Sequence, residues 1–249
     1  MEIYLTKLNL NPRNREVRKL LDSRNCQHLH HFVMSGFPKV DGEKAEVRKK
    51  FGVLHRLDVD AQLGTISLLV QSAFKPNWNF TEEFLFDGGY SNKEIGQIYS
   101  LLPNETELMF RLRANPTKRI GKNFEHPNEK VREEFNKKFK DEKKRRRISP
   151  DSEKEQIEWL RKKGELHGFR LITIKVNPDE SLISDVAATP NGKVSGKHKA
   201  GELTFKSVIF NGNLQITDAE KFRETLIHGI GQGKAYGFGL LSIAKSLSF

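Results

Sequence analysis

The chain has 249 residues, 36% of them hydrophobic, with a formal net charge of +11 and a sequence pI near 9.6. This length suits two domains of about 100 residues each, and such a charge attracts phosphates, those of nucleic acid before those of an anionic membrane. The single cysteine, Cys26, excludes an internal disulfide framework and a cysteine-based zinc site, and no apolar run approaches the roughly 18–20 residues of a membrane span.

The first hundred residues predict a domain of alternating strands and helices. The predicted elements are a strand over Glu2–Leu10, a helix from Ser23 or Asn25 to about Gly36, strands over Gly52–Val59 and Thr65–Ser72 joined by a hairpin-type connection, and a helical turn or strand over Ile95–Leu102. The segment before Ile95 has no clear pattern. In the helix, apolar residues at spacings of three and four predict the buried face, namely Cys26, Leu29, Val33 and Phe37.

The same order of elements then starts again. The predicted elements are a strand over Glu107–Asn115, a helix over Glu153–Lys163, a strand over Phe169–Val176, a strand over Leu203–Asn211 paired with one over Asn213–Thr217, a helix over Ala219–Gly229 and a strand over Gly239–Ala244. The fold class is therefore α+β, with two tandem ferredoxin-like (RRM-like) βαββαβ domains at residues 1–105 and 106–249.

A charged insertion at residues 117–150 interrupts the second copy. It contains thirteen lysines and arginines against six acidic residues and includes the run Lys143–Arg147. Such a segment is either a solvated or disordered loop, or a clamp for the RNA backbone. The two are compatible, because a disordered basic loop can become ordered on binding.

The loop from Gly229 to Gly239 has glycine at nearly every second position. Glycine lets backbone N–H groups approach a phosphate and adopt positive φ, and Lys234 adds a charge. An ATP-type P-loop is excluded, because the positions that would need glycine and serine or threonine are His228 and Ala235. In a basic protein, this loop predicts contact with a polynucleotide backbone.

Three histidines lie close together early in the first predicted helix, at positions 28, 30 and 31. As metal ligands they would need a further Cys, His, Asp or Glu on the same helix face, and the local sequence offers none. They could instead be structural, or one could act as a general acid–base. The last role suits RNA cleavage without a metal, because RNA carries its own nucleophile in the 2′-OH.

Arg111 and Arg113 alternate with apolar residues along the first strand of the second domain. They therefore share one strand face, which suits contacts with RNA phosphates, and Lys118 and Arg119 extend this stripe. The alternative is an exposed basic edge strand without a ligand.

Four stretches together resemble one family, CasE, the CRISPR repeat-RNA endoribonucleases of Cascade-type systems. They are Leu5–Leu8 with Asn11–Arg13, Leu29-His30 followed by Phe37-Pro38, Phe110–Pro116, and Phe210–Gly212 followed by the Gly-rich tail. The resemblance implies two ferredoxin-like domains that bind the stem-loop of a CRISPR repeat and cut once at the 3′ base of the stem. It also implies a metal-independent cut leaving 5′-hydroxyl and cyclic-phosphate ends, and an enzyme that stays on its product within the interference complex.

The resemblance also assigns roles to individual residues. The family's catalytic histidine falls on His30, and its usual tyrosine, three residues earlier on the same helix face, is replaced here by Gln27. An amide can hydrogen-bond the 2′-OH or a phosphate oxygen but cannot be a base. We therefore expect His30 to transfer the proton, Gln27 to position the RNA and a lysine to stabilise charge.

The remaining RNA contacts are expected in the second domain. The family uses a basic β-hairpin in the major groove of the RNA stem, and Gly192–Gly201 with Lys197 and Lys199 corresponds to it. In the Gly-rich tail, Gly231, Gly233 and Lys234 are expected to hold the RNA backbone.

The resulting prediction is a cytoplasmic endoribonuclease without metal or cofactor, monomeric when free, whose partners are CRISPR repeat RNA and the other Cascade subunits. One alternative is a non-catalytic RNA-binding subunit with the same fold, which Gln27 makes plausible. The other is a basic scaffold protein that binds RNA through its charged loop alone.

Overall fold

The structure, a computed structural model, describes residues 2–22, 24–39, 48–120, 129–130, 133, 146–175, 182–198 and 201–246, with the backbone alone at some strand residues, Arg119 and Lys197 among them. In chain order the helices and strands are β1 (Tyr4–Leu10), α1 (Arg15–Leu20), α2 (Cys26–Met34), β2 (Leu54–Asp60), β3 (Thr65–Ser72), β4 (Leu85–Glu94), α3 (Gly96–Ser100), β5 (Glu107–Ala114), β6 (Lys118–Ile120), β7 (Arg146–Ile148), α4 (Glu153–His167), β8 (Phe169–Leu171), β9 (Thr173–Ile174), β10 (Ile183–Ser184), β11 (Val186–His198), β12 (Gly201–Ile216), α5 (Ala219–His228) and β13 (Leu241–Lys245). No helix in these ranges is long and apolar enough to cross a lipid bilayer.

The first domain is an antiparallel sheet in the order β2-β3-β1-β4, with α1 and α2 preceding β2 in the chain. Its core gathers the inward residues of β1 and β3 with Leu29 and Val33 of α2 around the fully buried Trp78. The alternation that predicted β1 and β3 reflects this one buried face.

Two elements of this domain differ from the sequence prediction. The last strand is β4, in the segment without a clear pattern, and Ile95–Leu102 contributes only the short α3. In β4 a polar run, Tyr90–Glu94, pairs with β1, and at an edge position backbone hydrogen bonds suffice to hold it. Helix α1 was not predicted either. Asn14 caps it by accepting hydrogen bonds from the amides of Glu16 and Val17.

The second domain is an antiparallel sheet in the order β11-β12-β5-β13, in which β8 continues the β11 edge along β12. Helices α4 and α5 precede β8 and β13, which gives the ferredoxin-like order a second time. Trp159 of α4 and Phe222 of α5 enter the core with Phe210 of β12 and Leu112 of β5. The predicted fold class, two tandem ferredoxin-like domains, is confirmed.

The predicted pairing of 203–211 with 213–217 is wrong. Both segments belong to the single 16-residue strand β12, because one residue, Gly212, cannot close a hairpin. Gly212 pairs with Phe110 on one side and Val186 on the other, and a Cβ there would lie only 2.7 Å from the Cα of Val186. The glycine therefore permits close strand approach. The hairpin partner of β12 is β11. Within the described residues, the predicted strand at 169–176 is divided into β8 and β9.

Direct hydrogen bonds join the two domains. Arg56 of β2 donates to the carbonyl of Arg111 at 3.2 Å and to Oγ of Ser242 at 2.8 Å. Gln71 of β3 donates to the carbonyl of Leu226 in α5 at 2.7 Å. These contacts hold the face of β2 against β5 and β13. The predicted boundary near residue 105 falls between α3 and β5 and stays a prediction.

Candidate RNA-binding and catalytic site

His30 lies on the buried side of α2 but faces the second domain. Cys26, Leu29, His30 and Val33 form one helical stripe, and His30 is only 7% exposed. Its ring centroid lies 6.2 Å from that of Tyr236, in an edge-on arrangement. A residue of the first domain is thus covered by a residue about 200 positions later in the chain.

The other two histidines of α2 have different surroundings. His28 is exposed, and its Nε2 lies 3.0 Å from Nδ2 of Asn25. His31 is exposed too, with its ring 5.9 Å from that of His30, and it lines a surface groove between α1 and α2. Among the described residues, no three His, Cys, Asp or Glu side chains gather as a metal site would require.

The Gly-rich tail folds back on itself beside α2. The amide of Ile230 donates to the carbonyl of Gly239 at 2.9 Å, and the amide of Gly239 donates to the carbonyl of Arg113 at 2.8 Å. Gly239 has φ of +87°, and a Cβ there would lie 2.7 Å from the Ile230 carbonyl oxygen. Within the loop, Lys234–Tyr236 forms a single 3-10 turn between two left-handed glycines, Gly233 and Gly237. The glycines therefore fix the position of Lys234 and Tyr236.

A basic groove of about 790 Å³ runs along this tail. It lies between the tail, the start of β12 and the segment before β2, and its lining includes Arg48, Lys49, Phe205, Gln232, Lys234 and Tyr236. Gly231 and Gly233 also line it. Its size and concave shape suit a ligand larger than a single phosphate.

The cations of the basic groove are close enough to repel one another. Burial lowers the pKa of Lys234, and the charges of Arg48 and Lys163 lower it further. Burial likewise lowers the pKa of Arg48. In the described part of the chain, no carboxylate lies within salt-bridge distance of these three residues. A bound anion would relieve this repulsion, so the groove is suited to phosphate.

Arg111 and Arg113 share one face of β5, as predicted; β2 and the tail pack against this face, but the Arg111 side chain remains 43% exposed. Arg111 pairs with Asp58 at 3.4 Å. The guanidinium of Arg113 stacks 4.9 Å above the ring of Phe238, and its Nε donates to Oγ of Ser207 at 2.8 Å. Both arginines hold protein parts together in this structure, and their predicted contact with RNA stays a prediction.

The other predicted RNA contacts are placed only in part. Lys118 and Arg119 lie in β6 at the start of the insertion, and β6 pairs with β7 at the end of the insertion. Lys118 is half-buried, and only the backbone of Arg119 is described. Lys197 pairs with Glu202 near the end of the β11–β12 hairpin, whereas Lys199 and most of the insertion, including Lys143–Arg145, lie outside the described residues.

The β11–β12 hairpin reaches across to α2 at Gly196. A Cβ at Gly196 would collide with the side-chain oxygen of Gln27 and would lie 2.7 Å from Sγ of Cys26. The absence of a side chain at Gly196 leaves room for Gln27 and Cys26 in these positions. Gln27 is therefore packed under the hairpin, while His30, one turn later, faces the tail.

The structure adds three residues that sequence reasoning did not assign to the site. Arg48 lies in the basic groove, Tyr236 lies between that groove and His30, and His55 of β2 is fully buried beside Gly237. Tyr236 and Phe238 could be noticed in the tail sequence, but packing is the more common role of such residues. No sequence signal distinguishes Arg48 among the many basic residues.

Comparisons with known proteins show the family of the chain. The family described as CRISPR associated protein matches residues 3–245. CRISPR-associated endoribonuclease Cse3 of Thermus thermophilus is 29% identical over 244 residues, which cover 97% of this chain and all of that protein. CRISPR system Cascade subunit CasE of Escherichia coli (strain K12) is 34% identical over 137 residues, 55% of this chain and 57% of that protein.

A solved structure is similar over nearly the whole chain. It is Thermus thermophilus Cse3 bound to an RNA representing a pre-cleavage complex, with a TM-score of 0.68 and 26% identity over 98% of this chain and all of that chain. The chain therefore belongs to this family of CRISPR-associated proteins and is of the CasE type.

Proposed function

We propose that the protein is a metal-independent endoribonuclease that processes CRISPR repeat RNA in the cytoplasm. It binds the stem-loop of the repeat, cleaves at the 3′ base of the stem and stays on the mature crRNA as a Cascade subunit. The observation that carries the proposal is the contact of His30 with Tyr236 of the Gly-rich tail, which lines the basic groove. Cse3 and CasE, whose names state an endoribonuclease and a Cascade subunit, support it.

The chemistry requires two proton transfers and stabilisation of a negative charge. His30 takes the proton of the 2′-OH, and the 2′-oxygen forms a bond to the adjacent phosphorus while the bond from phosphorus to the 5′-oxygen breaks. The 5′-oxygen receives a proton. The products are a 2′,3′-cyclic phosphate and a 5′-hydroxyl. Lys234 stabilises the charge on the phosphorane oxygens.

The test uses purified protein, its own repeat RNA and excess EDTA. We expect a single cut at the 3′ base of the stem, with a cyclic phosphate identified by mass spectrometry and by its opening in acid. An RNA with a 2′-deoxy residue at the scissile position is the control and should bind without being cut. Cleavage of that deoxy RNA, or cleavage that disappears with EDTA, would contradict the mechanism.

Lys234 should contribute to RNA affinity through charge. We expect Lys234→Gln to weaken binding about 5–10-fold at 150 mM salt and to reduce the slope of log K against log salt by about one. The matched control is Lys93→Gln, on the exposed face of β4. Filter binding over a range of salt concentrations measures both. Equal losses in the two variants would mean that affinity follows net charge rather than the basic groove.

A second candidate function is a non-catalytic RNA-binding subunit. The amide at Gln27, which cannot transfer a proton, favours it. Tight, stem-specific binding without any cleavage by the unmodified protein would decide for this alternative. An RNA with a scrambled stem of equal charge separates both candidate functions from a scaffold protein, because a scaffold protein should bind the repeat RNA and the scrambled RNA equally well.

A further inference from the structure

Tyr236 is placed where a second proton-transfer group would be needed. Cleavage through the 2′-OH requires one group to accept a proton and another to give one to the departing 5′-oxygen. We propose that the Tyr236 hydroxyl is this second catalytic group and donates its proton to the 5′-oxygen as the bond from that oxygen to phosphorus breaks. This inference rests on the proposed function.

The position of Tyr236 is held from several sides. Its amide donates to the Gly233 carbonyl at 2.7 Å, closing the 3-10 turn. One side of its ring packs on Phe205 of β12 at a centroid distance of 5.4 Å, and another meets His30 at 6.2 Å. The ring also lines the basic groove together with Lys234. A phosphodiester bound in this groove would therefore lie against the Tyr236 ring, which itself contacts His30.

The phenol is suited to donate rather than to accept a proton. Burial raises the pKa of Tyr236, and the neighbouring Cys26 raises it further, so the hydroxyl is protonated at neutral pH. In the reaction, the proton of the 2′-OH goes to His30 and the phenol proton goes to the 5′-oxygen. Proton exchange through water then returns one proton from His30 to the phenolate and restores the site.

Two other side chains of α2 fit this role less well. Gln27 is an amide and is packed against Gly196 under the hairpin. His31 contacts His30 but lines the groove between α1 and α2, away from Lys234. Tyr236, in contrast, both contacts His30 and lines the basic groove.

The test is Tyr236→Phe under single-turnover conditions with saturating protein. The ring and its packing remain, so RNA affinity and thermal unfolding should not change, whereas cleavage should slow about 100-fold. Tyr90→Phe, on the exposed β4, is the matched control. The decisive comparison uses RNA in which sulfur replaces the bridging 5′-oxygen, because a thiolate leaves without needing a proton. On that RNA, Tyr236→Phe should cleave as fast as the unmodified protein.

Several results would overturn the inference. One is a Tyr236→Phe variant that cleaves ordinary RNA as fast as the unmodified protein, and another is a deficit of this variant that persists on the sulfur-containing RNA. A slow His31→Ala variant that the sulfur-containing RNA restores would transfer the role to His31. If the unmodified protein does not cleave at all, the proposed function fails instead, so the two failures are distinguishable.

Discussion

Replacing His30 by alanine is expected to slow cleavage by about 10³-fold or more while leaving RNA affinity nearly unchanged. The size of the effect follows from the loss of proton transfer from the 2′-OH. Affinity should persist because the cations of the basic groove, among them Lys234 and Arg48, lie on other elements. Single-turnover cleavage and filter binding on the same preparation separate the two quantities.

The buried position of His30 provides a sharper control. Truncation leaves a space between α2 and the Tyr236 ring, and added imidazole can occupy such a space and partly restore cleavage. His31→Ala changes the next residue of the same helix on its exposed side and should cleave normally. Retention of more than about a tenth of the rate by His30→Ala would remove His30 from the mechanism. Urea unfolding confirms that each variant is folded.

The sequence predicted those elements that bury one face of a regular repeat. In β5, Leu108, Phe110 and Leu112 alternate with Glu107, Met109, Arg111 and Arg113, and all three are buried. In α2, the spacing of Leu29 and Val33 predicted the buried stripe that also contains His30. Hydrophobic periodicity reflects burial, so it identifies strands and helices that have one buried face and one solvent-exposed face.

The strands that were missed lie at sheet edges and have no such repeat. Small and polar residues fill most of β11, including Pro190 and Gly192, and its pairing with β12 rests on backbone hydrogen bonds. The site has the same limitation. His30 and the Gly-rich tail were each identified, but the contact between His30 and Tyr236 joins two domains, and no local pattern encodes it. Similarly, the alternation of Arg111 with apolar residues could not reveal its ion pair with Asp58 of β2.

His55 should make the protein less stable in mild acid. It lies in β2 with no exposed surface, and neither ring nitrogen has a hydrogen-bond partner within the described residues. Burial, together with the nearby His30, Arg48 and Arg113, which are positive or can become so, lowers the pKa of His55 to about 3. In the unfolded chain the same imidazole would titrate near its ordinary value of about 6.5.

The direction of the effect follows from which state binds the proton. Between about pH 6.5 and pH 3 the unfolded chain is protonated at His55 and the folded protein is not, so acid favours unfolding. The free energy of unfolding should fall by about 1.4 kcal/mol for each pH unit below 6.5, or about 2 kcal/mol between pH 7.5 and pH 5. The range from pH 7.5 to pH 5 lies above the ordinary pKa of carboxylic acids, near 4, so the titration of carboxylic acids contributes little to this fall.

Urea unfolding at pH 7.5 and pH 5 measures this loss, and His55→Leu should abolish most of it. The leucine also removes two buried polar atoms without partners, so the variant should be at least as stable as the unmodified protein at pH 7.5. His28→Leu, at an exposed position of α2, is the matched control and should keep the full pH dependence. An unchanged loss in His55→Leu would mean that other groups bind the protons. A loss of unfolding free energy that occurs only in proteins with His55 would instead show that the packing of β2 behind the Gly-rich tail depends on a neutral imidazole.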